Sequence, residues 1–300
     1  MRIGVNLPNF GPDMGPKTLL GWGRTVEELG YDLLLVSDHL ALAPDAASRS
    51  PAPFYESFTS LAWLAARTER VELGTGVVIM PHRHPLDLAR TAATLDQLSD
   101  GRLVLGVGVG WARQGYEALG VPFERRGRIT DEYLRAVRRV WEQERATFSG
   151  EYAVFRDVHT GPAPARWPGP PVWVGGNSRA ALRRAVRHGD AWHPLWPQVW
   201  WLHEAALPEM RRIARAEERP VPDLCPRIQV SVHSAPLPED ARRTGHGSAE
   251  QIRADLEALH ALGCAYVVVD TDPGDQRLRR SAEEDWQELA RVAQIVSDPF

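Results

Sequence analysis

Short, nearly continuous runs of Val, Ile and Leu recur along this chain, and they limit its possible folds more than any other feature. They lie at 3–7, 33–36, 71–79, 103–109, 172–174, 191–192, 228–232 and 266–269. A strand with one wet face alternates apolar and polar residues, whereas a continuous run suits a parallel strand covered on both faces. Segments of helical spacing separate the runs: Ile129, Tyr133, Val137, Val140 and Trp141; then Ile252, Leu256 and Leu259; then Trp286, Leu289, Val292 and Ile295. Ser248 with Gln251 predicts a capping box, and Gly30, Gly189 and Gly263 stand where helices should stop. Eight such units predict an α/β fold, a closed (β/α)8 TIM barrel with insertions at its C-terminal face. An open doubly wound sheet would carry a GxGxxG loop after the first strand, where this chain has Asn9-Phe10-Gly11-Pro12.

The regular alternation lapses at 150–171, a stretch rich in Pro and Gly. It is read as a lid or edge insertion in a single domain spanning 1–300. The net charge of -4 argues against a strongly basic face and hence against nucleic acid as a partner. Cys225 and Cys264 match neither a zinc nor a CxxC spacing, which predicts buried free thiols. The first residues read as a strand rather than a signal peptide, and no run is long enough to span a membrane. These features predict a cytoplasmic protein.

In such barrels, chemistry gathers where the strands end. The run 172–174 leads into Gly175, Gly176, Asn177 and Ser178 and then a helical segment. Glycines let a phosphate approach, and a helix N-terminus attracts the anion. The same pattern also suits an ordinary turn with Ser as N-cap. Asp38 and His39 follow an apolar run, so His39 is a candidate acid or base and Asp38 its tuner or orienter. The alternative is a surface histidine. Gly106, Gly108 and Gly110 alternate and so leave space on one face. Gly76 and Val77 end the third run, which residue pattern alone reads first as a barrel strand that needs small residues and second as a bulge against which a planar cofactor could lie. The Trp-dense segment 192–201 is either a packed helix start or an aromatic wall.

Taken together, the segments IGVNLPNFG, YDLLLVSDHL, VELGTGVVIMPHRHPLDLARTAATLDQLSDGRL, LGVGVGWARQGYEALG, RGRITDEYL, PPVWVGGNS and GDAWHP resemble the luciferase-like monooxygenase superfamily, in particular its branch that uses the deazaflavin coenzyme F420. The resemblance spans nearly the whole chain. It implies a flavin or deazaflavin across the barrel mouth, a cis peptide at Gly76–Val77 behind its ring, and Gly175, Gly176, Asn177 and Ser178 as its phosphate loop. It places Asp38 and His39 near ring and substrate, and it implies a homodimer. Two positions depart from the sugar-phosphate dehydrogenases of that family. Trp111 stands where they carry an acid, and Leu42-Ala43-Pro44 where they carry a Trp.

The combined reading is an oxidoreductase that moves a hydride between F420 and a small organic substrate. His39 is the proton donor or acceptor, Trp111 a substrate wall, and Gly76, Val77 and Gly108 belong to the cofactor bed. The alternatives are an FMN-dependent monooxygenase on the same scaffold, a non-catalytic cofactor carrier, and a metal-dependent hydrolase using His82, His84, His39, His193 and Asp270. The hydrolase pattern is incomplete, because its HxH pair should follow the first strand. No metal site is therefore expected.

Overall fold

Alternation within the buried strands sorts the two faces of the sheet in the computed structural model, which describes residues 1–297. In β1 (Arg2–Leu7), Ile3, Val5 and Leu7 join the apolar layer under the helices, while Asn6 turns inward toward Asp270. In β2 (Leu33–Val36), Leu34 and Val36 join the outer layer. Leu33 and Leu35 pack inside with Val104, Trp173, Ala191, Cys225 and Val268. The barrel lumen is therefore apolar low down and polar near its C-terminal end, where Asn6, Thr75, His193, Arg227 and Asp270 are buried.

The remaining barrel strands are β3 (Glu72–Thr75, resuming at Val78–Ile79), β4 (Leu103–Gly108), β5 (Val172–Gly175), β6 (Ala191–His193), β7 (Asp223–Leu224 and Arg227–Gln229) and β8 (Tyr266–Asp270). All pair in parallel, in chain order from β1 to β6, and β8 returns to β1 with Asp270 opposite Asn6. The two pieces of β7 close the ring. On one side the Cys225 N–H donates to the Trp192 carbonyl (2.9 Å); on the other the Val268 N–H donates to the Pro226 carbonyl (2.8 Å).

β7 begins at Asp223, not at the predicted 228. Pro222 and Pro226 make this stretch look like a loop, but the neighbouring strand uses only the Pro226 carbonyl, which a proline keeps. Ser231–Val232 leaves the barrel and pairs with His246–Gly247 in a small separate sheet. Gly30 and Gly263 end their helices at positive φ (81° and 84°), the conformation glycine tolerates best. Gly189 instead ends its helix in extended backbone. Both Ser248 with Gln251 and Ser281 with Glu284 form capping boxes.

The 150–171 stretch packs as an edge insertion on the outside of the barrel. It lies within the connection from the helix Arg126–Glu142 to β5, and its first residues reach back to the start of that helix, where Arg125 pairs with Glu151 at 2.9 Å. Its hairpin, Ala146–Ser149 with Val154–Val158, runs back along the outside of that helix, where Glu132 accepts the N–H groups of Glu151, Tyr152 and Ala153 (2.7–2.8 Å). Its last part is tied down by an Arg166–Asp96 ion pair at 2.9 Å. Cys225 and Cys264 are buried and free. Among the described residues no helix is long and apolar enough to cross a membrane.

Candidate active site

The third strand is interrupted at the barrel mouth by a cis peptide, Gly76–Val77, as the resemblance implies. The side chain of Val77 occupies the space that the nearby glycines leave. A Cβ at Gly108 would lie 2.6 Å from a Val77 methyl, one at Gly175 3.0 Å and one at Gly106 3.3 Å. Gly110 leaves room for Ile79 in the same way. Gly108 is a gap filled by Val77, whose partly exposed side chain forms the surface there.

A buried charge pair holds this segment from across the lumen. Arg227, on β7, binds Asp270, on β8, at 2.7 Å, and its Nη1 donates to the Gly76 carbonyl at 3.1 Å. Asp270 also accepts from Trp196 Nε1 (3.2 Å). Sequence reasoning missed Arg227. Its signal is a charged residue inside a strand, hidden because the strand was expected to start after it. Trp196 belongs to the Trp-dense segment, whose members scatter: Trp192 is fully buried, while Trp200 is mostly exposed. The segment is not one continuous aromatic wall.

Asp38 and His39 part company. The Asp38 carboxylate is fully engaged: it accepts from Arg83 Nη1 (2.6 Å) and Nη2 (2.9 Å), from Ser57 Oγ (3.1 Å) and from the Ile79 N–H (3.0 Å). It has no lone pair directed at His39. Asp38 is thus a buried anchor that ties β2 to the chain just beyond Val77, and it acts on His39 through its charge rather than through a hydrogen bond. Arg83, its partner, was also missed, since it sits inside the HxH that drew attention to its neighbours.

His39 turns the other way. Its ring meets Phe54 (5.6 Å) and Trp111 (5.9 Å) nearly edge-on. Its Nδ1 is buried without a hydrogen-bond partner. Burial lowers its pKa below the ordinary value, and the nearby charges of Asp38 and Asp45 offset this in part. The imidazole is consequently neutral near pH 7 and able to accept a proton. Trp111 follows β4 and is 46% exposed, as suits a wall beside an open mouth.

The loop after β5 has both of the features read from it. Ser178 caps the helix Arg179–His188 through the Ala181 N–H (3.2 Å). Asn177 spends its amide on Leu195, donating to the carbonyl (2.7 Å) and accepting the N–H (2.8 Å). Their side chains are therefore committed to the protein. The backbone is not: no protein acceptor takes the N–H groups of residues 177–180, which are exposed. Gly176 turns the chain at φ 114° and is held by Trp192 Nε1 on its carbonyl (2.8 Å). This is an anion cradle built from main chain.

The histidines of the hydrolase alternative serve other ends. His84 is an N-cap, accepting the Leu86 N–H (3.3 Å). His82 packs on Tyr116 at 4.4 Å, and burial lowers its pKa to about 4. His193 Nδ1 lies 2.6 Å from the Cys225 carbonyl. Among the described residues no group of three His, Cys, Asp or Glu is placed to hold a metal ion.

The comparisons with known proteins agree with this fold. A family model described as luciferase-like monooxygenase matches residues 1–294. An F420-dependent glucose-6-phosphate dehydrogenase of Rhodococcus erythropolis is 32% identical over 236 residues, 76% of this chain and 67% of that protein. The matched stretch spans 62% of the length of the first curated relatives. Two solved structures share the fold over 99% of this chain. One is an F420-dependent secondary alcohol dehydrogenase with an F420–acetone adduct (TM-score 0.79, 18% identity, 99% of that chain). The other is the oxygenating constituent of a Pseudomonas putida diketocamphane monooxygenase with FMN (TM-score 0.75, 17% identity, 98% of that chain). By its sequence over nearly its whole length, the chain belongs to the luciferase-like monooxygenase family.

Proposed function

We propose that this chain is an F420-dependent oxidoreductase that passes a hydride between the deazaflavin and a small organic substrate. The observation that carries this reading is the pairing, at one barrel mouth, of a free main-chain anion cradle at 177–180 with a neutral, unpartnered His39. The residues fit the cofactor: the cradle takes its phosphate, and the partly exposed Val77 supports its ring.

When bound, the deazaflavin supplies the carbon that accepts or returns a hydride. The chain does the rest. For an alcohol substrate, His39 takes the hydroxyl proton as the hydride leaves the adjacent carbon. Trp111 and Phe54 fix the imidazole and exclude water from one side. Arg227 and Asp38 hold the Val77 segment from below and from the flank. FMN monooxygenation is the second reading, favoured by the same cradle, since FMN also carries a phosphate. The relative's sugar-phosphate substrate is not carried over, because Trp111 replaces the acid on which the resemblance to those enzymes would depend. The buried free thiols suit the cytoplasm.

Gly176→Val tests the cradle. The residue sits at positive φ, where a β-branched side chain is strained, so the loop must move. Affinity for F420 is expected to fall at least about tenfold, roughly 1.4 kcal/mol, while unfolding stays cooperative. Unchanged affinity in equilibrium dialysis would make the loop only a turn.

A further inference from the structure

Four rings form a continuous band across the mouth, and an arginine stacks on each end of it. Arg49 lies over Trp111 (4.8 Å), Trp111 meets His39, His39 meets Phe54, Phe54 stacks on Phe10 (5.5 Å), and Arg279 lies over Phe10 (5.0 Å). The loops after β1, β2, β4 and β8 supply these residues. In a closed eight-stranded ring, β1, β2 and β8 face the loop after β5 from across the mouth, so most of the band lies opposite the anion cradle.

Among the described residues neither arginine makes an ion pair within 4.0 Å, although the charge of Arg279 is felt by Asp272 and Asp285. Arg49 is exposed, and among the described residues its guanidinium stacks on Trp111 without an ion-pair partner. Arg279 donates to the Phe10 carbonyl and, at 3.5 Å, to Gln276 Oε1; Asp272, on the same loop, is outside ion-pair distance. Arg279 is also a built-in feature, since Gly11 lacks a side chain where the guanidinium passes: a Cβ there would lie 2.1 Å from Nη1. A guanidinium stacked on an aromatic face is pre-oriented, and that of Arg49 keeps its edge donors open for a planar anion, whereas Arg279 offers the donors that Phe10 and Gln276 leave over. Between the two, the band offers ring surface and a single polar group, His39.

We propose that the substrate is a small, flat, largely apolar molecule bearing an anionic group, bound with its apolar part against Trp111 and Phe54 and its anion at Arg49 or Arg279. A polyhydroxylated sugar finds too few hydrogen-bonding partners on this surface. The inference rests on reading the mouth as the substrate site.

Loading with F420 is measured first, and calorimetric titrations with benzoate, phenyl phosphate, uncharged benzamide and acetate follow. Benzoate or phenyl phosphate should bind at least tenfold more tightly than benzamide, and whichever is tighter identifies the anion class. Acetate should bind more weakly than benzoate. Arg49→Ala, Arg279→Ala or the double variant should remove the preference for the charged ring without changing thermal unfolding or F420 affinity. Equal binding of benzoate and benzamide, or a preference that survives the double variant, overturns the proposal. A chain that fails to load F420 contradicts the proposed function instead, and the same titrations of the unloaded chain still decide the arginine pair.

Discussion

His39→Ala is expected to lower kcat by about 10²–10⁴-fold, the range that a positioned acid or base contributes, with little change in F420 affinity. The reasoning starts from packing. Edge contacts with Phe54 and Trp111 hold the ring, and no hydrogen bond consumes Nδ1. Such a group acts on the reacting proton and not on the cofactor's phosphate, so its loss appears in turnover. The pH profile supplies a second readout. Burial, the largest influence, sets the pKa of His39 below its ordinary 6.5. If the neutral ring accepts the proton, kcat/KM should be at full value above pH 6.5 and fall as the pH drops through the lowered pKa. The alanine variant should lack that acid limb. Equal losses in kcat and in cofactor binding would make His39 a packing residue.

Asp38→Ala should act on stability, by about 3–5 kcal/mol. Arg83 is nearly as buried as its partner, and removing the carboxylate leaves a guanidinium in a dry site with only the half-exposed Glu56 at 2.9 Å. The Ile79 N–H and the Ser57 hydroxyl lose an acceptor as well. Removing both charges with Asp38→Ala and Arg83→Met should cost less than Asp38→Ala alone, because no unpaired ion remains. Denaturant unfolding of the three variants measures this. A loss below about 1 kcal/mol for Asp38→Ala would mean that the pair is effectively solvated.

These two neighbours show what the sequence makes legible. A strand end predicts that 38 and 39 stand at the barrel mouth. Adjacent residues leave an extended chain on opposite sides, so one of the two must turn from the mouth, yet nothing local says which. That depends on Arg83, a partner 45 positions away. The alternating glycines pose the same problem. Spacing shows that 106, 108 and 110 lack side chains on one face, but not that Val77 and Ile79 fill the gap. The barrel itself was readable because each buried run reports its own burial. β7 was not, because its two prolines mimic a loop. The phosphate loop was legible as a turn with a cap, although the groups left free are backbone amides and not the Asn177 and Ser178 side chains.

The central claim is that the mouth holds a deazaflavin. The direct measurement is an equilibrium titration of the purified chain with F420 and, separately, with FMN, followed by the change in each cofactor's visible absorbance or fluorescence. F420 is expected to bind at least about tenfold more tightly than FMN, a difference of roughly 1.4 kcal/mol, and Gly176→Val is expected to weaken it. Tighter binding of FMN, or binding of neither cofactor, would contradict the account.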